Sequence, residues 1–257
     1  MDTEETQKAE EKNSFICVDL SSSVARKIVF QLPWRRALEC ALLIACFATA
    51  AMAGEPNKVR YVAIGDSYSI GEGASPNESW PARLTRHLNG QGLHIDLVAN
   101  PSRTGWTTQQ AIDRELPVMV NAGPNFATLQ IGVNDWVQGV TIEDFRKRFV
   151  LLVDRMLEVL GKKDRLLIVT IPDFGVTPTG ARYARGRDIS EGISAFNKII
   201  TEESQKRKLV VVDVFPLSKQ MKDDGSLIAP DGLHPSAKEY AEWEKVIFPA
   251  AQRILKE

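Results

Sequence analysis

Apolar residues along this chain fall into two kinds of segment that alternate. Val59 to Ile64, Ile95 to Ala99, Phe126 to Ile131, Leu166 to Ile171 and Leu209 to Val214 are short, β-branched and almost continuously apolar. Such runs predict strands covered on both faces. Longer stretches between them repeat their apolar positions every three or four residues. The clearest begins at Thr141, a predicted N-cap with Asp144 three residues on. It carries Phe145, Phe149, Leu152, Val153, Met156, Leu157 and Leu160 on one face and stops at Gly161. A second starts at Asp188, with Glu191 in its first turn, and buries Ile193, Phe196, Ile199 and Ile200. Trp80-Pro81 opens a third helix, and Pro235 to Leu255 make a fourth. Strand–helix alternation at this spacing predicts an α/β fold, a three-layer α/β/α sandwich around a mostly parallel five-stranded sheet. Right-handed crossovers then bring the strand C-termini to one edge, where ligands bind.

The segment before Val59 reads differently. Residues 1–36 open with a charged stretch lacking apolar period, expected to be a disordered or mis-annotated extension. Arg35-Arg36 precede the apolar stretch 37–53, which ends in Ala51-Met52-Ala53. Positive flank, short apolar run and small-x-small end predict a secretory signal peptide, with the true start near Leu32 and cleavage after Ala53. The apolar run is shorter than the roughly 20 residues that span a bilayer, so stable membrane insertion is not expected of the mature domain, 54–257. Leu43-Ile44-Ala45-Cys46 also fits a lipobox, which would make a lipoprotein through Cys46. Otherwise the expected destination is the periplasm or the medium. All three cysteines (Cys17, Cys40, Cys46) precede Gly54, so the mature domain has no disulfide, thiol nucleophile or cysteine metal site. Thirty-two Lys and Arg against 33 Asp and Glu give no basic field for nucleic acid.

Candidate chemistry lies in four loops that follow strands or precede the last helix. The turn after the first strand, Gly65-Asp66-Ser67-Tyr68-Ser69-Ile70-Gly71-Glu72-Gly73, lacks both the P-loop pattern and the third glycine of a dinucleotide fingerprint. Taken alone, Ser67 reads more readily as a turn former or helix cap than as a nucleophile. Asp231-Gly232-Leu233-His234-Pro235 places a carboxylate three residues before an imidazole, where it can orient the ring or merely cap the last helix. His87 and His94 have no metal-ligand spacing, so zinc is not expected. Gly132-Val133-Asn134-Asp135 offers a side-chain amide after the third strand, or an Asx turn. Asn100 to Trp106 offers Gly105 and its backbone N–H after the second.

In order and separation these four blocks resemble those of the SGNH, or GDSL, hydrolases. Gly65-Asp66-Ser67 resembles the first block, Gly105 the second, Gly132-x-Asn134-Asp135 the third and Asp231-x-x-His234 the last. The resemblance covers residues 59–255; Tyr68 stands where the family usually has Leu. It implies a flavodoxin-like SGNH hydrolase fold and ester hydrolysis through an acyl-enzyme, with Ser67, His234 and Asp231 catalytic. It further implies an oxyanion hole of the Ser67 and Gly105 N–H groups and the Asn134 amide, with no cofactor. Small acyl esters or O-acetylated glycans are the expected substrates. A lysophospholipase, a thioesterase and a catalytically silent carbohydrate-binding module stand as alternatives. Trp106 and Trp136 are candidates for the pocket wall, Trp80 for the core, and Glu72, Arg103 and Asp173 for solvated loop charges.

Overall fold

Five strands, β1 (Val59–Gly65), β2 (Ile95–Ala99), β3 (Phe126–Gln130), β4 (Leu166–Val169) and β5 (Val210–Val212), pair in parallel in the order β2-β1-β3-β4-β5. The structure is a computed structural model that describes residues 58–162 and 165–256. The extension, the apolar run 37–53 and the Cys46 lipobox lie outside the described residues.

The three central strands are buried nearly throughout, whereas β2 and β5 are half-covered edges. Helices fill the crossovers. They are α1 (Ser67–Ile70), α2 (Trp80–Gly90), a composite α3, α4 (Val133–Gln138), α5 (Ile142–Leu160), α6 (Ala181–Ala184), α7 (Ile189–Lys206), α8 (Phe215–Ser218) and α9 (Ala237–Lys256). Composite α3 runs from Thr108–Gln110 through a π-helical turn, Ala111–Glu115, into Leu116–Ala122. No helix among the described residues is long and apolar enough to cross a membrane.

Helix ends follow the expected chemistry. Thr141 Oγ1 accepts the Asp144 N–H at 3.1 Å, and Asp188 Oδ1 accepts that of Glu191 at 2.8 Å. Such caps each contribute about 1 kcal/mol. Gly161 ends α5 at φ 66°, a conformation that L side chains resist. Trp80 is fully buried, as expected of a core residue, and its Nε1 donates to Gln130 Oε1 at 2.9 Å.

Two strands stop earlier than their apolar runs. Beyond β4, the Asn197 side chain donates to the Ile171 carbonyl and accepts its N–H, both at 2.8 Å, taking the place of a neighbouring strand. Beyond β5, Thr170 Oγ1 accepts the Val214 N–H at 3.0 Å and donates to Asp213 Oδ1 at 2.7 Å. Side chains thus complete the ladder where the backbone leaves it.

α9 buries a carboxyl group. Glu239 is fully covered; its Oε1 accepts Trp243 Nε1–H at 2.7 Å, while Oε2 has no partner. Burial, reinforced by the charges of Glu242 and Asp224, pushes Glu239 up to about 7. An unfolded glutamate releases its proton near pH 4.3. The fold therefore holds a proton that the unfolded chain has lost, and its stability falls as pH rises from about 4 through 7. Glu239→Gln keeps the acceptor and removes the ionisation. Melting curves at pH 5 and pH 8 should show the wild-type decline narrowed by a few degrees in the variant. Equal declines would mean that Glu239 takes no part in it.

Candidate active site

β1 runs straight into α1, so Ser67 stands on the C-terminal edge of the sheet. It is in the crevice between β1 and β3, where the strand order reverses. The turn is tight: a Cβ on Gly65 would come within 2.2 Å of Ser69 Oγ and 2.4 Å of the Gln130 carbonyl. Asp66 Oδ1 accepts the Tyr68 N–H at 3.0 Å, and the Ser67 carbonyl accepts the N–H groups of Gly71 and Glu72. Burial pushes Asp66 up to about 8, with the nearby Asp135 charge adding to the effect. Ser67 Oγ makes no hydrogen bond within the described residues, and the Ser67 N–H has no protein acceptor there.

The last block forms a self-contained loop. Asp231 Oδ1 accepts the N–H groups of Leu233 (2.8 Å) and His234 (2.9 Å), and Oδ2 lies 2.6 Å from His234 Nδ1. Burial works against the charged form of Asp231, but the hydrogen bonds from the ring and the two N–H groups outweigh it. They hold this carboxyl below the ordinary range. An ionised carboxylate only accepts, so the proton sits on Nδ1 and the Nε2 lone pair is left free. Gly232 makes the chain reversal at φ 69°. The helix-cap reading of Asp231 does not hold, because the loop's own backbone and imidazole take both oxygens. Tyr68 packs edge-on against the imidazole at 6.0 Å between centroids, so the aromatic ring in place of Leu forms a wall for the histidine.

α4 draws the second and third blocks together. Asn134 Nδ2 donates to the Trp106 carbonyl at 2.9 Å, leaving its other N–H unspent. Asp135 Oδ2 accepts both the N–H (2.8 Å) and the hydroxyl (2.9 Å) of Thr108. Gly105, at φ 83°, sits between these ties, and its N–H has no protein acceptor among the described residues.

Ser67, Gly105, Asn134 and His234 line one cavity of about 180 Å³, together with Tyr68, Thr104, Val133, Val137, Phe174, Tyr183 and Leu233. A larger hollow at the other end of the sheet contains His94 and Lys162 but no serine, which fits His94's place before β2.

Neither candidate tryptophan reaches the cavity. Along α4 successive residues turn by about 100°, so Val133, Asn134 and Val137 face the cavity while Asp135 and Trp136 point away. Trp136 is buried, edge-on to Phe174, with the Arg187 guanidinium 3.9 Å from its ring centroid. Trp106 contributes its carbonyl instead, and its ring lies under Arg103. Asp173 is not a solvated charge either. It is buried, and its Oδ1 accepts the N–H of Gly175 (3.0 Å) and the hydroxyl of Ser190 (2.9 Å). Those bonds fix the short turn that presents Phe174 to the cavity. Glu72 and Arg103 are exposed, as expected, although Glu72 accepts from Thr104 Oγ1 at 2.5 Å.

The model of the GDSL-like lipase/acylhydrolase family matches residues 63–241, from inside β1 to the start of α9 and across all four blocks. The chain belongs to that family. Membership makes this GDSL protein a carboxylic ester hydrolase. Solved structures share its fold. The family 3 carbohydrate esterase of Clostridium thermocellum is 22% identical at a TM-score of 0.62, covering 78% of this chain and 98% of that one. TesA is 20% identical at 0.61, with 76% and 99% covered. A lipase/acylhydrolase from Enterococcus faecalis is 21% identical at 0.61, with 76% and 96% covered. No curated protein sequence matches the chain.

Proposed function

We propose that this GDSL hydrolase is an exported serine esterase that cleaves short-chain acyl esters, O-acetylated glycans among them, through an acyl-enzyme on Ser67. The observation that carries this reading is the single cavity onto which Ser67, Gly105, Asn134 and the Asp231-oriented His234 open. In the reaction, Ser67 Oγ attacks the ester carbonyl as its proton passes to His234 Nε2. The oxyanion is received by the Ser67 and Gly105 N–H groups and the free N–H of Asn134. Collapse expels the alcohol, protonated from Nε2, and water then repeats the sequence to release the acid. Asp231 supports the imidazolium throughout.

The short acyl preference follows from volume. Sites that engulf drug-sized ligands measure about 300–1,000 Å³, and this cavity has about 180 Å³, walled on its apolar side by Val137, Phe174, Tyr183 and Leu233. Tyr183 sits on a strap that is fastened at both ends. Thr179 donates its N–H to the Gly232 carbonyl (2.8 Å) and its hydroxyl to that of Asp231 (3.0 Å). Arg187 donates to the Trp136 carbonyl at 2.7 Å. A solved acetyl-xylooligosaccharide esterase of the same fold supports acetyl esters as the natural class.

Rates on 4-nitrophenyl acetate, butyrate and octanoate test the reading. Wild type should favour the two shorter esters. Tyr183→Ala should raise the octanoate-to-acetate ratio of kcat/KM about tenfold or more, since single methylenes in such pockets already discriminate by that factor. An unchanged ratio would place the acyl group elsewhere. Export is supported by the arginine-flanked run 37–53, and a mature intact mass beginning at Gly54 is its check.

A further inference from the structure

The serine turn is held from behind by a residue outside all four motif blocks. Glu115 closes the π-helical turn of α3 and is fully buried. Its Oε2 accepts the N–H of Gly65 at 3.0 Å, two residues before Ser67. The sheet explains why that N–H needs such a partner. β2 pairs with β1 only as far as Val62, while β3 continues to Gly65, so the β2 side of β1 is open just before the turn. Glu115 fills the gap that β2 leaves. The π turn matters to this placement: each residue advances an α-helix by about 100°, so one residue fewer would swing position 115 off β1.

The clamp has a second jaw. Asp66 Oδ1 takes the Tyr68 N–H, so backbone groups on both sides of Ser67 are fixed by buried carboxyl groups. The Ser67 N–H between them is left for a substrate oxyanion. Burial pushes Glu115 up to about 8, with the Gly65 N–H opposing the rise and Asp66 adding to it.

We propose that Glu115 is a positioning residue for the nucleophile: by holding the Gly65 N–H it sets the backbone from which Ser67 Oγ and the Ser67 N–H project. The proposal rests on the assignment of Ser67 as nucleophile.

The test uses the full chain with Glu115→Leu, Glu115→Gln and Glu115→Asp, assayed well below each melting temperature. Glu115→Leu removes the acceptor, and kcat on 4-nitrophenyl acetate should fall about 10–100-fold, the cost of misplacing a reacting group by a fraction of an ångström to one ångström. KM should stay within about threefold, the mark of an interaction expressed at the transition state. Phosphorylation of Ser67 by diethyl 4-nitrophenyl phosphate should slow by the same factor as kcat. Glu115→Gln retains an oxygen for the Gly65 N–H and should recover to within about threefold of wild type. Should the leucine variant fail to fold, Glu115→Asp, one methylene shorter, carries the test with an expected loss in kcat.

A folded Leu or Asp variant with wild-type kcat and only a lowered melting temperature would reduce Glu115 to packing and overturn the proposal. So would a Gln variant as slow as Leu. Labelling that persists unchanged in Ser67→Ala would remove the nucleophile assignment beneath it, a failure distinct from the other two.

Discussion

Ser67→Ala is expected to lower turnover of 4-nitrophenyl acetate by about 10⁴-fold or more, the scale seen when a triad nucleophile is removed. Neither Thr104 nor Tyr68 can take over. Thr104 Oγ1 is engaged with Glu72, and burial raises the Tyr68 phenol well above its ordinary range, keeping it protonated at neutral pH. The fold should not register the change, because Ser67 Oγ makes no hydrogen bond within the described residues. Far-UV circular dichroism and the melting temperature should therefore match wild type. Residual activity above about a hundredth of wild type, on a scale where the triad supplies far more, would remove Ser67 as the attacking group. Any leftover rate over water should come from the oxyanion donors, which the substitution leaves in place.

Asp231→Asn should cost about 10³–10⁴-fold in kcat, and the reason is the direction of one hydrogen bond. Oδ1 of Asp231 accepts two backbone N–H groups, so an asparagine keeps its carbonyl there and turns its NH₂ toward the imidazole. An NH₂ group only donates. It would hold Nδ1 unprotonated and move the ring proton to Nε2, the atom that must receive the Ser67 proton. The loop would look unchanged and the base would be lost. Single-turnover acylation separates this from a binding defect: the acylation rate should fall while KM shifts little. A variant within about tenfold of wild type, far from the expected loss, would show that the ring finds its tautomer without this carboxylate.

Strands and long helices were legible because one period accounts for their burial. The Thr141 and Asp188 caps, the fully apolar β4 and the buried face of α5 all follow from residue spacing. The four motif blocks were legible for another reason: they are short, local and rich in residues with few alternative uses. What escaped lies where contacts are long-range. Between β2 and β3, α3 carries exposed Val118 and Val120 and a buried Glu115, so its hydrophobic pattern hides its inner face. Asp173 looked like any loop acid, because its partner Ser190 lies 17 residues on. Trp136 follows a catalytic-type asparagine by two residues and was placed beside it. The 200° turned in those two residues of α4 takes it to the opposite face. A helix at Val133–Gln138, predicted from the αL glycine that ends it, would have corrected the tryptophan in advance. Tyr183 and Leu233, which bound the cavity, carry no local signal at all.

In the proposed mechanism the base and its orienting acid are three residues apart, while the nucleophile is more than 160 residues away in sequence. Their mutual alignment is thus a property of one turn, closed by Gly232 and by two backbone bonds to Asp231. Displacement of that turn by substrate or heat carries carboxylate and imidazole together as one rigid carriage. What such a displacement changes is the span from Ser67 to His234. Thr179, which hooks the strap to the same turn, is placed to govern it.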